Sequence, residues 1–154
     1  MRFEFQLTGE LTIVRKHNVT IKASGATFIM DTERLAGKNI LITGAAQRIG
    51  ASNAINFAAQ GANICFGDLD LGLAQKVTDE INAHGNGKAI AVQMDVTKRE
   101  DNVAAVAATV DAFGMINIGL FNAGMNKPRF FMDIDEDNWD MIMNSNTKAM
   151  WLGM

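Results

Sequence analysis

From Asn39 onward, short apolar runs alternate with stretches in which apolar side chains recur every three or four positions. Asn39–Thr43 reads as a strand, and Ala51, Ala54, Ile55 and Ala58 then share one face of a helix that Gly61 ends. A second strand, Asn63–Gly67, runs into Asp68. The helix after it, from about Leu71 to His84, carries Leu73, Ala74, Val77 and Ile81 on one side and stops at Gly85. Ala89–Met94 is a third strand, ending at Asp95. A helix from about Lys98 to Phe113 follows, with Val103, Val106, Ala107, Val110 and Phe113 on one stripe and Gly114 behind it. A fourth strand, Ile116–Phe121, ends in Asn122-Ala123-Gly124. Beyond a loop through Pro128, a last helix opens near Asp135 and runs to the terminus. Strands alternating with helices predict an α/β fold: a doubly wound parallel sheet, incomplete at about four strands, with helices on both faces. Right-handed crossovers set the strand order as third, second, first, fourth.

Residues 1–33 follow a different period. Phe3–Leu7, Leu11–Ile13 and Val19–Ile21 alternate apolar and polar, with Gly9, Asn18 and Gly25 between them. This pattern predicts two or three short strands or hairpins and divides the chain into an N-terminal extension of β character, 1–33, and an α/β domain, 34–154.

Composition narrows the possible functions. Hydrophobic residues make up 48% and charged residues 20%, which suits a globular domain with a core. A net charge of −3 without a basic cluster argues against nucleic acid as a partner. No apolar run reaches the roughly 20 residues of a membrane span, and no signal-peptide pattern follows Met1, so the expected location is the cytoplasm. Cys65, the single cysteine, lies in an apolar strand and reads as a core residue.

The chemistry concentrates where the first strand meets the first helix, at Thr43-Gly44-Ala45-Ala46-Gln47-Arg48-Ile49-Gly50. Gly44 permits a tight turn, Gly50 permits close strand–helix packing, and the helix presents its positive end to an anion. The N–H groups of this loop are expected to be free to face phosphate oxygens. Asp68 ends the second strand about 20 residues on, where a carboxylate accepts from ribose hydroxyls. The other reading of Asp68 is a cap for the following helix. A carboxylate there opposes a 2′-phosphate, so NAD is expected and NADP is less favoured.

These residues resemble the short-chain dehydrogenase/reductase family, and the likeness covers about Leu35 to Met154. Besides the glycine turn it includes Asp95-Val96, Asn122-Ala123-Gly124, Trp139-Asp140 and Asn146-Thr147-Lys148. The resemblance implies a Rossmann domain and hydride transfer between a nicotinamide dinucleotide and a secondary alcohol or ketone. It places Thr43, Gly44, Gln47, Arg48, Ile49, Gly50, Asp68, Leu69, Asp95, Val96, Asn122, Ala123 and Gly124 at the cofactor. Asn146 takes the position of the family's proton-relay asparagine. It also implies dimers or tetramers built through helices.

Several positions depart from the family pattern. Arg48 replaces the middle glycine of the turn, as in a pteridine-reductase-like branch that uses NADPH, which pulls against Asp68. Phe121 replaces the first Asn of Asn-Asn-Ala-Gly and either packs in the core or crowds the nicotinamide end. Asn117 and Gly119 stand where an Asp and an aliphatic residue are usual. The family's Ser and Tyr-x-x-x-Lys find no match; the sequence contains no tyrosine at all, and Ser145 and Lys148 belong to an earlier helix. The expectation is therefore the cofactor-binding part of such an enzyme, interrupted before its catalytic residues and inactive as it stands. The alternative is a non-catalytic dinucleotide-binding or interaction module that pairs with a full-length relative. Met30–Leu35 resembles a usual family N-terminus, which makes 1–29 an upstream addition.

The remaining candidates read as structural. His17 and His84 have polar neighbours and form no metal pair. The acidic run Asp133, Asp135, Glu136 and Asp137 suits a helix N-terminus better than a calcium loop. Met132, Met141, Met143, Met150 and Met154 are fillers of core or interface. With no fifth strand, Ile116–Phe121 becomes an uncharged sheet edge, so self-association is expected unless the extension covers it.

Overall fold

The computed structural model describes the backbone of residues 11–15, 18–23 and 26–31, and all atoms of residues 33–84 and 87–154. The expected strand Phe3–Leu7, His17 and the helix stop at Gly85 lie outside the described residues. The chain divides into two compact units, Met1–Arg34 and Leu35–Met154.

In the first unit β1 (Leu11–Arg15), β2 (Asn18–Ala23) and β3 (Ala26–Asp31) form an antiparallel meander in that order. Sequence reading finds the first two and misses β3, whose Ala26-Thr27-Phe28-Ile29-Met30-Asp31 does not alternate. Because β3 pairs through Met30↔Val19 and Asp31↔Asn18, a chain starting at Met30 would keep only the end of that strand.

The second unit is the doubly wound sheet. β4 (Asn39–Thr43), β5 (Asn63–Asp68), β6 (Ala89–Gln93) and β7 (Ile118–Phe121) are parallel, in the order β6-β5-β4-β7. That is the predicted third, second, first, fourth. The helices are α1 (Arg48–Ala59), α2 (Leu71–His84) and α3 (Arg99–Phe113), each within one to three residues of its periodic stretch. A Schellman closure ends α1: Gly61 N–H donates to Ala58 O at 2.9 Å and Ala62 N–H to Phe57 O at 3.1 Å, with Gly61 at φ +87°. The last helix is α4 (Glu136–Met143), a π-helical turn Asn144–Lys148, and α5 (Ala149–Gly153).

Alternation along β4 and β5 sends side chains to both faces. Ile40, Ile42, Ile64 and Phe66 pack with Ala54 and Ala58 of α1 and Ala74 and Ile81 of α2. Leu41 and Cys65 point the other way, towards Met94 and Ala105. Here α3 departs from its expected orientation. Its buried stripe is Asn102, Ala105 and Thr109, while Val103, Val106 and Val110 are exposed. The polar stripe is buried because its groups are bonded. Asn102 Nδ2 donates to Val96 O (3.0 Å) and Lys98 O (2.6 Å), and Thr109 Oγ1 donates to Ala105 O (2.7 Å). Small and bonded side chains let α3 lie close to the sheet, and hydrophobicity alone does not register that.

The lower ends of the strands are tied by amides. Asn39 N–H donates to Asn117 Oδ1 (2.8 Å), and Asn63 Nδ2 donates to Asn39 Oδ1 (2.9 Å). Asn117 thus supplies the same acceptor as the Asp usual at its position. The acidic run opens α4 as expected: Asp135 accepts from Asn138 N–H (2.7 Å) and pairs with Arg129 at 2.7 Å. Among the described residues no helix is long and apolar enough to cross a membrane.

Candidate functional site: a glycine turn and its cleft

A cleft of about 460 Å³ opens at the carboxyl ends of the strands, between β4 and its neighbours, where the sheet order reverses. This is the place where open α/β sheets bind ligands. Its lining gathers nine of the predicted residues: Gly44, Gln47, Arg48, Ile49, Asp68, Leu69, Val96, Asn122 and Ala123, with Gly124 as a tenth. Thr43, Gly50, Asp95 and Asn146 lie outside the lining.

The turn is shaped by close approach. Gly44 sits at φ +63°, and a Cβ there would come within 2.6 Å of Ala123 Cα. A Cβ on Gly50 would collide with Gly44 O and stand 2.7 Å from Asn122 Nδ2 and 2.8 Å from Ala45 Cα. Both positions therefore demand glycine. Asn122-Ala123-Gly124 braces the turn from the fourth strand. Asn122 Nδ2 donates to Gly44 O (2.8 Å) and Thr43 O (3.3 Å), and Ala123 N–H donates to Thr43 Oγ1 (3.1 Å). Thr43 and Gly50 thus shape the site from behind its surface.

Not every loop N–H is free, which corrects the expectation. Gly44 N–H donates to Gly67 O (2.8 Å) and Ala46 N–H to Asp68 Oδ2 (2.9 Å). Those of Arg48, Ile49 and Gly50, in the first turn of α1, have no acceptor among the described residues. Of these three residues Arg48 and Ile49 line the cleft, at the positive end of a 12-residue helix. Gln47, the N-cap, makes no side-chain capping bond, leaving its amide beside the cleft. Arg48 holds φ +51°, the single non-glycine residue at positive φ among the described residues. It stands where the family pattern has a glycine, so the backbone keeps the glycine conformation under an arginine side chain.

Asp68 does not cap α2. Asp70 does, accepting from Leu73 N–H at 2.9 Å. Asp95 turns away from the cleft and organises the entry to α3: its Oδ1 accepts from Thr97 Oγ1 (2.7 Å) and Thr97 N–H (3.0 Å), with Lys98 at 3.6 Å. The Thr97 hydroxyl, with help from Thr97 N–H and Lys98, holds this carboxyl below the ordinary aspartate range. Val96 carries that segment into the cleft wall.

Asn146 lies on the π-helical turn, with its Nδ2 donating to Met125 O and Ile142 O, both at 2.8 Å. Its Oδ1 abuts Gly124, where a Cβ would collide with it. It therefore anchors the Gly124–Met125 end of the cleft. Ser145 Oγ is spent on Met141 O at 2.8 Å. Phe121 is absent from the cleft lining. Its ring packs against Gly153, where a Cβ would stand 2.9 Å from Cδ1, so it does not crowd the cleft.

Two lining residues escape the sequence reading, Met94 and Met125. For Met94 a signal existed in Gly67, a glycine inside a buried strand, which marks a close approach. A Cβ on Gly67 would stand 2.5 Å from Met94 Sδ.

Residues 38–154 match the short chain dehydrogenase family. The chain is 39% identical over 121 residues to 2,5-dichloro-2,5-cyclohexadiene-1,4-diol dehydrogenase LinX of Sphingobium indicum, covering 79% of this chain and 48% of that one. It is 39% identical over 128 residues to trans-4-hydroxycyclohexanecarboxylate dehydrogenase of Sinomonas cyclohexanicum, covering 80% and 49%. Among solved structures, 3-ketoacyl-(acyl-carrier-protein) reductase from Brucella melitensis, complexed with NADH, is similar at TM-score 0.72 and 36% identity, over 77% of this chain and 48% of that one. The chain spans about half the length of these relatives. Family match, strand order and a glycine turn braced by the fourth strand agree: the chain belongs to the short-chain dehydrogenase family.

Proposed function

We propose that the 460 Å³ cleft binds a nicotinamide dinucleotide and that these residues form the cofactor-holding part of an alcohol dehydrogenase or ketone reductase. The observation that carries this reading is the glycine turn. Gly44 and Gly50 let the turn pack tightly against Ala123, Asn122 and its own backbone, and Arg48 and Ile49, whose N–H groups are unbonded at the start of α1, line the cleft beside it. When bound, the cofactor would give or take the hydride. This chain's residues bind and orient it: the first turn of α1 and Arg48 take the pyrophosphate, and Asp68 takes the adenosine ribose. Val96, with Asp95 behind it, borders the adenine. Leu69 flanks the adenosine end, and Asn122, Ala123 and Gly124 form the floor towards the nicotinamide. Asn146 holds that floor and, by family resemblance, would place a water for proton transfer.

NAD is the preferred cofactor in this reading, because the Asp68 carboxylate faces the ribose and opposes a 2′-phosphate. Relatives named for ring alcohols make a cyclic secondary alcohol the substrate class to try first on the whole protein. The sequence has no tyrosine. The 154-residue polypeptide by itself should therefore bind dinucleotide and show no alcohol turnover, since positioned proton transfer contributes roughly 10²–10⁴-fold. The uncharged β7 edge and the exposed Met150, Trp151 and Met154 of α5 are the surface proposed for self-association. Isothermal titration with NADH tests the function: saturable binding, lost when Gly50 is replaced by Val, supports it. Folded protein that takes up no dinucleotide refutes it.

A further inference from the structure

Asp68 carries two tasks at once. Its Oδ2 accepts from Ala46 N–H at 2.9 Å, and its Oδ1 accepts from Asp70 N–H at 3.0 Å. The second bond is exposed, so water can replace it. The first reaches across from the end of β5 into the phosphate turn, 22 residues back, to a residue only 6% exposed. A buried N–H without an acceptor is costly, and a hydrogen bond to a charged oxygen is among the stronger ones. Resting on the dinucleotide reading above, we infer that Asp68 is also a positioning residue for the phosphate turn, setting the path of Ala45–Gln47 and hence the aim of the Arg48, Ile49 and Gly50 N–H groups.

The turn has two braces. Asn122 holds Gly44 O from the β7 side at 2.8 Å, and Asp68 holds Ala46 N–H from the β5 side. The segment between them has no other side-chain bond among the described residues. Arg48, two residues beyond Ala46, holds φ +51°, a conformation an arginine keeps only when its surroundings enforce it. Removing the Asp68 brace frees Ala46 to turn and lets Arg48 relax, which moves the helix-start donors away from the phosphates. Ribose recognition and phosphate recognition thus share one carboxylate. Replacing Asp68 to admit a 2′-phosphate would weaken pyrophosphate binding along with it.

A ligand without ribose hydroxyls separates the two tasks. ADP and 2′,3′-dideoxy-ADP are titrated into the wild type, Asp68→Ala and Asp68→Asn, and amide hydrogen exchange is followed at Ala46. Asp68→Ala should weaken dideoxy-ADP about tenfold. Asp68→Asn keeps one oxygen for Ala46 N–H and should bring dideoxy-ADP affinity back close to wild type while ADP stays weakened. Ala46 exchange should be slow in the wild type and in Asp68→Asn, and fast in Asp68→Ala. A loss confined to ADP, with dideoxy-ADP unchanged in Asp68→Ala, overturns the inference. So does an Ala46 amide that exchanges as fast as those of Arg48 and Ile49 in the ligand-free wild type, a result that needs no variant to fold. Wild-type protein that binds neither nucleotide contradicts the dinucleotide reading itself and removes the basis of the inference with it.

Discussion

On the face of the parallel sheet covered by α1 and α2, a continuous cluster runs from Ile40 to Phe66 and outward to Ala54, Ala58, Ala74 and Ile81. On the face covered by α3, the buried cluster is Leu41, Cys65, Met94 and Ala105, and the valines of α3 stand outside it. Beside that thinner face lie the β7 edge and a C-terminal helix showing Met150, Trp151 and Met154. The glycine turn grows from the first side, at the junction of β4 and α1, and depends on the second only through Asn122 and Ala123. The turn's geometry is thus built on the well-filled half, and the other half contributes Asn122 and Ala123 to the cleft lining.

Substitutions on α3 test that contrast with the largest effect. Ala105→Asp puts a carboxylate into the sheet-facing row without a partner and should cost about 3–5 kcal/mol. Val106→Asp, one residue along, should stay within about 0.5 kcal/mol because Val106 is 40% exposed. Equal losses for the two in denaturant melts would mean the valine stripe is covered. Next comes Gly50→Ala on the filled side. Its Cβ meets backbone and the fixed Asn122 amide, so a loss of about 1–3 kcal/mol and of nucleotide binding is expected, read by thermal unfolding and titration. Unchanged binding would show that the turn has slack.

That same helix shows where the sequence was legible and where it was not. Strand and helix order, the glycine turn and the place of Asn122-Ala123-Gly124 at the cleft follow from period, glycine placement and family resemblance. The stripe of α3 does not, because Asn102 and Thr109 are buried through bonds to Val96, Lys98 and Ala105 carbonyls that depend on the folded backbone. The occupied N–H of Ala46 is equally invisible, since its acceptor belongs to the next strand. Met94 enters the cleft wall only because Gly67, on a neighbouring strand, makes room for its sulfur.

Smaller effects sharpen the picture. Arg48→Gly removes a side chain from left-handed backbone and should raise stability by roughly 1 kcal/mol while weakening dinucleotide binding, most clearly at low salt. A variant that loses stability would mean the guanidinium holds the turn. Acid should act first on the thinner half. Asp95 is held below the ordinary range mainly by the Thr97 hydroxyl, and Asp135 mainly by Asn138 N–H with Arg129 beside it. Depressed folded values mean that their contribution is present above the unfolded carboxylate value and disappears as pH falls through the folded one. Below about pH 4, amide exchange in α3 and α4 should accelerate before that in α1, and Asp95→Asn with Asp135→Asn should remove the difference. Uniform acceleration across all helices would count against this assignment.

The most direct measurement is a calorimetric titration of the folded protein with NADH and NADPH side by side. Saturable NADH binding, competed by ADP and tighter than NADPH, is the result predicted by the proposal that the helix-start donors hold the pyrophosphate and that Asp68 opposes a 2′-phosphate. Folded protein with no measurable affinity for either dinucleotide would contradict a cofactor cleft at the end of β4.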